Sequence, residues 1–229
     1  MTDADKTVFM PDLLKGQAAF VTGGGSGIGA GIAKRLAHQG AKVALFGRTL
    51  SKLEAIAREI HDAGGEALCF TGDVREYALV EKAVNDAAAA FGRLDILVNS
   101  AAGNFLAPAA SLSANGFRSV IDIDLCGTFN ASRAAFAHLS KSGGNIVSIT
   151  ATQADVPTPM QCHAGAAKAG IEKLTRDLAL EWGRMKIRVN AVAPGPIEGT
   201  EGMIGEYRSV VPFGWLVELD PEVLDTRGS

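Results

Sequence analysis

Two stretches of the chain carry residues whose types and spacing could do chemistry. The first, residues 22–29, reads T-G-G-G-S-G-I-G. Gly23, Gly25, Gly27 and Gly29, with Ser26 and Ile28 between them, let the backbone turn tightly and approach an anion without Cβ clashes. A helix predicted over 28–38 would then aim its unpaired N–H groups and positive dipole end at a pyrophosphate. The spacing is G-x-x-x-G-x-G rather than G-x-G-x-x-G, so the run alone says only that a nucleotide can bind. Further on, F-G-R at 46–48 falls where an NAD site usually has a carboxylate for the ribose 2′-hydroxyl. Here a neutral Gly47 precedes Arg48, with Lys52 a turn later. That suits a 2′-phosphate and favours NADP(H). Arg48 as a solvated loop residue is the alternative reading.

The second stretch, residues 121–168, begins I-D-I-D-L-C-G-T-F and ends H-A-G-A-A-K. Thr150 and Thr152 have hydroxyls, but their high pKa makes them poor acids. No serine or cysteine nucleophile motif surrounds His163, so it reads as a pocket-wall or core histidine. Cys126 and Cys162 read as packing residues.

The elements that must position these groups show as alternation. Strand-like apolar runs at 18–22, 42–46, 67–71, 96–98, 145–150 and 187–192 are separated by helix-like segments. Ala167, Ile171, Leu174 and Leu178 make one helical stripe. Strict alternation predicts an α/β fold, a doubly wound, Rossmann-like parallel sheet forming a single domain over 1–229. Its ligand would sit at the carboxyl ends of the strands, near the switch point. The 229 residues are 47% hydrophobic, with net charge −3, enough for a sizeable core and unlike a nucleic-acid surface. Cys69, Cys126 and Cys162 are too scattered for a disulfide framework or a zinc site, so no metal is expected and the thiols read as reduced. The first residues lack signal-peptide features, no apolar run approaches the ~20 residues of a membrane span, and the last four match no lipidation or peroxisomal signal. The expected location is cytoplasmic.

Taken in order, T-G-G-G-S-G-I-G, D-V at Asp73, N-S-A-A-G at Asn99 and P-G-P-I at Pro194 resemble the short-chain dehydrogenase/reductase family, over roughly residues 13–200. The resemblance implies that Asp73 and Val74 flank the adenine. It implies that residues 99–103, Asn99 and Ala101 among them, line the cofactor cleft. Residues 194–200, with Pro194, Gly195 and Ile197, would wrap the nicotinamide end, and Lys168 would hold the nicotinamide ribose. Three positions depart from the family. Its acidic tyrosine, four residues before the lysine, is Ala164; its serine is Ala151; and its helix asparagine is Asp124. Neither tyrosine of the chain, Tyr77 or Tyr207, fits the acid's place. Hydride delivery to a carbonyl needs a donor to the developing alkoxide, so ordinary alcohol or ketone chemistry is not expected.

P-D-L-L at Pro11, A-A-G-N-F-L at Ala101, D-I-D at Asp122, G-T-F-N at Gly127, I-T-A-T at Ile149, H-A-G at His163 and P-G-P-I-x-G-T-E-G at Pro194 are similar to the 2,4-dienoyl-CoA reductase branch, particularly its peroxisomal type. That resemblance implies NADPH-dependent reduction of a 2,4-dienoyl-CoA to a 3-enoyl-CoA in fatty-acid β-oxidation. Hydride goes to the far end of the diene, electron density moves to the thioester oxygen, and a proton then goes to Cα. Because the proton goes to carbon, the tyrosine is not obligatory. Asp124 and Lys168 become the expected donors, through an ordered water. Asp124 as a mere orienting group for Lys168 or a backbone amide remains the other reading. Arg48 and Arg75 would meet the CoA phosphates; Phe105, Ser113 and Asn115 would line the thioester and pantetheine path.

Past Gly202 the resemblance fades. Relatives continue through a further helix and strand, which this chain is expected to lack or rebuild, together with a tetramer contact. Long helices from about 115 and 167 would keep the family's dimer contact, so a homo-oligomer, dimer or tetramer, is expected. Two other functions stay open: a short-chain dehydrogenase on another substrate, using Asp124 or a thiol differently, and a non-catalytic NADP-binding sensor or scaffold.

Overall fold

Each predicted apolar run is a strand. The computed structural model describes Phe9, Met10, residues 12–195 and Ile197. In chain order the elements are β1 (Ala18–Thr22), α1 (Gly27–His38), β2 (Lys42–Gly47), α2 (Leu50–Asp62), β3 (Glu66–Thr71), α3 (Tyr77–Phe91), β4 (Ile96–Asn99), α4 (Ala114–Ile121), α5 (Gly127–Leu139), β5 (Gly144–Ile149), α6 (Cys162–Trp182) and β6 (Ile187–Val192). The six strands form one sheet in the order β3-β2-β1-β4-β5-β6, every pairing parallel. This is the doubly wound, Rossmann-like α/β fold. The winding reverses between β1 and β4, and there the carboxyl ends of the strands open a crevice.

Period-two alternation explains why the central strands are apolar throughout. Ala18 and Phe20 face a core layer with Val80, Val84, Ala131, Ala135 and Leu178. Ala19 and Val21 face a second layer with Ala33, Leu53, Ile56 and Ile60. Helices α3, α5 and the later turns of α6 thus cover one face, α1 and α2 the other. A strand covered on both sides cannot alternate with polar residues.

Two boundaries differ from expectation. α6 begins five residues before Ala167, so Ala164 and His163 lie in its first turn. The helix predicted from about 115 is not continuous: residues Asp122–Cys126 form a π turn between α4 and α5. The expected loss or rebuilding of the C-terminal helix and strand lies outside the described residues, as does Tyr207.

At the sheet's amino end, Asp95 ties three strands together. Its Oδ2 accepts the Ala18 N–H at 2.9 Å, Arg93 forks both oxygens at 2.7 and 2.6 Å, and its carbonyl accepts the Asn145 N–H at 2.8 Å. Asp95→Ala leaves the buried Ala18 N–H without a partner. It is expected to lower unfolding free energy by about 1–3 kcal/mol, read as a lower urea midpoint at unchanged m-value.

Candidate active site

The crevice encloses about 430 Å³ and draws its walls from the loops after β1, β2, β3, β4 and β5 together with Lys168 of α6. Its floor depends on one close approach. A Cβ on Gly29 would lie 2.3 Å from the Gly23 carbonyl oxygen, and Gly23 itself has φ +67°. Only glycine lets the start of α1 press against the loop that precedes it. The Thr22 hydroxyl accepts the Ser100 and Ala101 N–H groups at 3.1 Å each, joining the ends of β1 and β4 across the switch point. Ser26, which precedes α1, makes no side-chain cap bond. Gly27, Ile28 and Gly29, the first turn of α1, line the crevice, so the uncapped helix start borders it, as an anion site requires.

At the other end of the crevice, Asp124 is 1% exposed. Its Oδ1 accepts the Gly103 N–H at 2.8 Å, and its Oδ2 lies 3.0 Å from Lys168 Nζ. Lys168 Nζ also donates to the Ile149 carbonyl at 3.2 Å. An ammonium has three donors; with two directed at Asp124 and Ile149, the third remains for whatever occupies the crevice that Lys168 lines. The π turn is what carries Asp124 to this place. Gly127 lets the turn sit against Val74, whose Cγ2 would be 2.7 Å from any added Cβ. The Thr128 hydroxyl donates to the Asp124 carbonyl at 2.6 Å, a bond one turn back along the helix that adds to the backbone N–H the carbonyl already accepts.

Two groups that commonly act beside such a lysine are replaced by apolar surface. Ala151 lines the crevice, and Ala164 packs with Val120 and Ala167 in a small apolar cluster. The Thr150 hydroxyl is turned to the Val192 carbonyl at 3.3 Å and Glu172 at 3.4 Å. Desolvation pushes the Cys126 thiol up, with Asp122 adding to it, and burial does the same at Cys69, so neither is an activated nucleophile.

The geometry now meets known proteins. Residues 17–208 match the short chain dehydrogenase family. The chain belongs to that family. It is 48% identical over 202 residues to a peroxisomal 2,4-dienoyl-CoA reductase [(3E)-enoyl-CoA-producing] of Pongo abelii, covering 87% of this chain and 69% of that protein. It is 46% identical over 189 residues to a probable 2,4-dienoyl-CoA reductase [(2E)-enoyl-CoA-producing] of Bacillus subtilis (strain 168), covering 81% and 74%. Among solved structures, a citronellol catabolism dehydrogenase of Pseudomonas aeruginosa PAO1 superposes with TM-score 0.80 at 43% identity, over 86% of this chain and 81% of that one. A short chain dehydrogenase from Bacillus anthracis str. 'Ames Ancestor' gives 0.77 at 47% identity, over 81% and 78%. As a short-chain dehydrogenase the protein is an oxidoreductase built to bind a nicotinamide dinucleotide. The crevice fits such a group: a glycine cradle that any Cβ would fill, an open helix N-terminus, and a lysine with a spare donor.

Within this family member, the predicted Gly23, Gly25, Ser26, Gly27, Ile28, Gly29, Arg48, Lys52, Asp73, Val74, Ala101 and Lys168 all line the crevice. Asn99 stands beneath it, its amide donating to the Ser132 and Ser148 hydroxyls at 3.1 and 3.2 Å. Pro194, Gly195 and Ile197 follow β6, and residues 196 and 198–200 lie outside the described residues. Arg75 stands just beyond the lining, forked onto Asp73. Phe105, Ser113 and Asn115 lie outside the crevice lining: the Phe105 ring packs on the fully buried His163 at 4.6 Å between centroids, which makes His163 a core residue. Ser113 caps α4 by accepting the Gly116 N–H at 3.0 Å, and Asn115 is exposed in the same turn. Ser100 and Ala102, within the predicted 99–103, line the crevice too, whereas Thr49, Leu53 and Gly72 line it without having been singled out. Their side chains carry no distinctive chemistry, so only position marks them. Among the described residues no group of three or more His, Cys, Asp or Glu could hold a metal, and no helix is long and apolar enough to cross a membrane.

Gly29→Ala is expected to weaken dinucleotide binding by at least about tenfold, because the loop must shift by the overlap of a methyl group. Quenching of intrinsic fluorescence by NADPH checks this, with circular dichroism to show that the sheet persists.

Proposed function

We propose that the protein is an NADPH-dependent reductase of 2,4-dienoyl-CoA thioesters, acting in fatty-acid β-oxidation. The observation that carries this is the buried Asp124–Lys168 pair beside alanine at both Ala151 and Ala164. A site without phenol or serine hydroxyl is poorly suited to protonating a carbonyl oxygen. It is suited to a reaction whose proton goes to carbon. The names of the relatives above support the same substrate class.

The bound nicotinamide supplies hydride. The chain's own residues do the rest. Lys168 directs its spare N–H into the crevice, where a nicotinamide ribose hydroxyl would take it. Asp124 is held by the Gly103 N–H on one oxygen and Lys168 on the other. The pair supplies the proton through an ordered water: the water gives one proton to the substrate Cα as density returns from the thioester oxygen and takes one from the Lys168 ammonium, which is recharged from solvent. Arg48, next to the neutral Gly47, supports NADP(H) over NAD(H), since a guanidinium pairs with a 2′-phosphate that a carboxylate would repel. Arg48 and Arg75 at the crevice mouth, and Phe105, Ser113 and Asn115 outside its lining, are the groups we assign to the acyl-CoA. The half-exposed Phe117 and Phe129 on α4 and α5 support a homo-oligomer, dimer or tetramer. The three free cysteines fit a reducing compartment and support a cytoplasmic location.

NADPH oxidation with a 2,4-dienoyl-CoA, with a 3-ketoacyl-CoA and with no substrate tests the reading. Turnover of the dienoyl-CoA alone is expected. Turnover of the ketoacyl-CoA instead, or NADPH binding with no turnover of either, sinks it. Asp124→Asn keeps the side-chain size but removes the carboxylate. It is expected to lower kcat at least ~100-fold while the NADPH dissociation constant moves by less than about threefold, within half a tenfold step. Arg48→Glu is expected to cut NADPH affinity at least about tenfold and move preference toward NADH, read from kcat/KM for the two cofactors.

A further inference from the structure

The turn after β3 holds a charge arrangement that cofactor binding alone does not explain. Asp73 lines the crevice, and its carboxylate is gripped from one side by Arg75. Arg75 Nε donates to Oδ1 at 3.0 Å and Nη2 to Oδ2 at 2.6 Å, while the Arg75 backbone N–H donates to Oδ1 at 2.9 Å. The turn itself is braced. The Glu76 N–H donates to the Asp73 carbonyl at 3.0 Å. Asn130 of α5 donates its amide to the Val74 carbonyl at 2.9 Å and reaches the Arg75 carbonyl at 3.5 Å. α5 comes this near only because Gly127 lies against Val74. The Arg75 hydrogen bond holds the Asp73 carboxyl below the usual carboxylate range, with the Arg48 charge adding to the effect. The same bond draws Arg75 up, and Asp122 at the head of the π turn adds to it.

An arginine on a turn, 44% exposed, would otherwise sample many rotamers. Here the fork fixes the plane of its guanidinium. A guanidinium has five N–H groups in that plane, and the fork on Asp73 engages the Nε edge. The remaining N–H groups must therefore point away from Asp73, in a direction set by the carboxylate. A planar donor held in one orientation at the mouth of an anion-binding crevice is a phosphate clamp.

We propose that Asp73 is a positioning residue for the acyl thioester as well as a wall of the cofactor crevice: its fork on Arg75 aims that guanidinium at a phosphate of the CoA moiety. This rests on the dienoyl-CoA reading above. Asp73 touches no reacting atom. It acts through Arg75, so the two residues form one unit, and α5, which continues directly from the π turn that presents Asp124, anchors through Gly127 and Asn130 the turn that presents the clamp.

The test uses wild type, Asp73→Asn, Arg75→Gln and the double variant at saturating NADPH. Each is assayed on a 2,4-dienoyl-CoA and on the same dienoyl group as its N-acetylcysteamine thioester, which has no phosphate. The quantity read is the ratio of kcat/KM for the two thioesters. Any loss through cofactor binding or folding affects both thioesters and cancels. The ratio is expected to fall about tenfold in each single variant, the value of one charge-assisted pair, and no further in the double, because the residues act as one unit. An unchanged ratio in Asp73→Asn overturns the proposal, and so does a double variant whose loss is the product of the two single losses. The two readings fail differently. Wild type inactive on both thioesters sinks the dienoyl-CoA function and this inference with it; an active wild type with an unmoved ratio in the variants sinks only the assignment of Asp73 and Arg75.

Discussion

A carboxylate and an ammonium lie 3.0 Å apart, with side chains 1% and 12% exposed, and most of this site is arranged to make that tolerable. Moving two ions out of water costs several kcal/mol each, and their attraction offsets this only when the remaining donors and acceptors are also met. Gly103 and Ile149 supply those partners from the loops after β4 and β5. The pair therefore fixes the mutual position of three segments: the π turn, the β4 loop and α6. A carboxylate at Asp124 without Lys168, or the reverse, would be an uncompensated buried charge.

The same constraint explains the shape of the helix that bears Asp124. A regular helix through 114–139 would run its carbonyls in uniform steps. The π turn inserts a wider step at Asp122–Cys126, and Thr128 adds a side-chain bond to the Asp124 carbonyl within it. The glycine at 127 then lets the helix continue directly against Val74. Local irregularity at an element that carries acid–base chemistry is where such turns recur. Here it links the reacting end of the crevice to the turn after β3.

Removal of hydroxyls from the site is equally physical. Ala151 and Ala164 leave no oxygen donor where a ketone reductase needs one, and Ala164 is absorbed into an apolar cluster with Val120 and Ala167. What remains near the lysine is a carboxylate and a dry wall. Residues 151 and 164 thus bring no hydroxyl to the side of the lysine.

Much of this was legible in the residues. Alternating apolar runs determined the strands, since a strand covered on both faces must be apolar throughout. The glycine spacing at 23, 27 and 29 determined the tight loop into α1, because no other residue fits where a Cβ would stand 2.3 Å from a carbonyl. The alanines at 151 and 164 were visible as departures from a pattern. Tertiary structure alone decided the rest. No periodicity announces a π turn, since it depends on what α5 packs against. The shared lattice of Asn99, Ser132 and Ser148 joins residues up to 49 positions apart. Asp73 and Arg75 are near neighbours in sequence, yet their fork depends on a turn braced from α5 by Asn130, 55 residues on. Spacing reveals which groups are present; only packing decides which of them are held still.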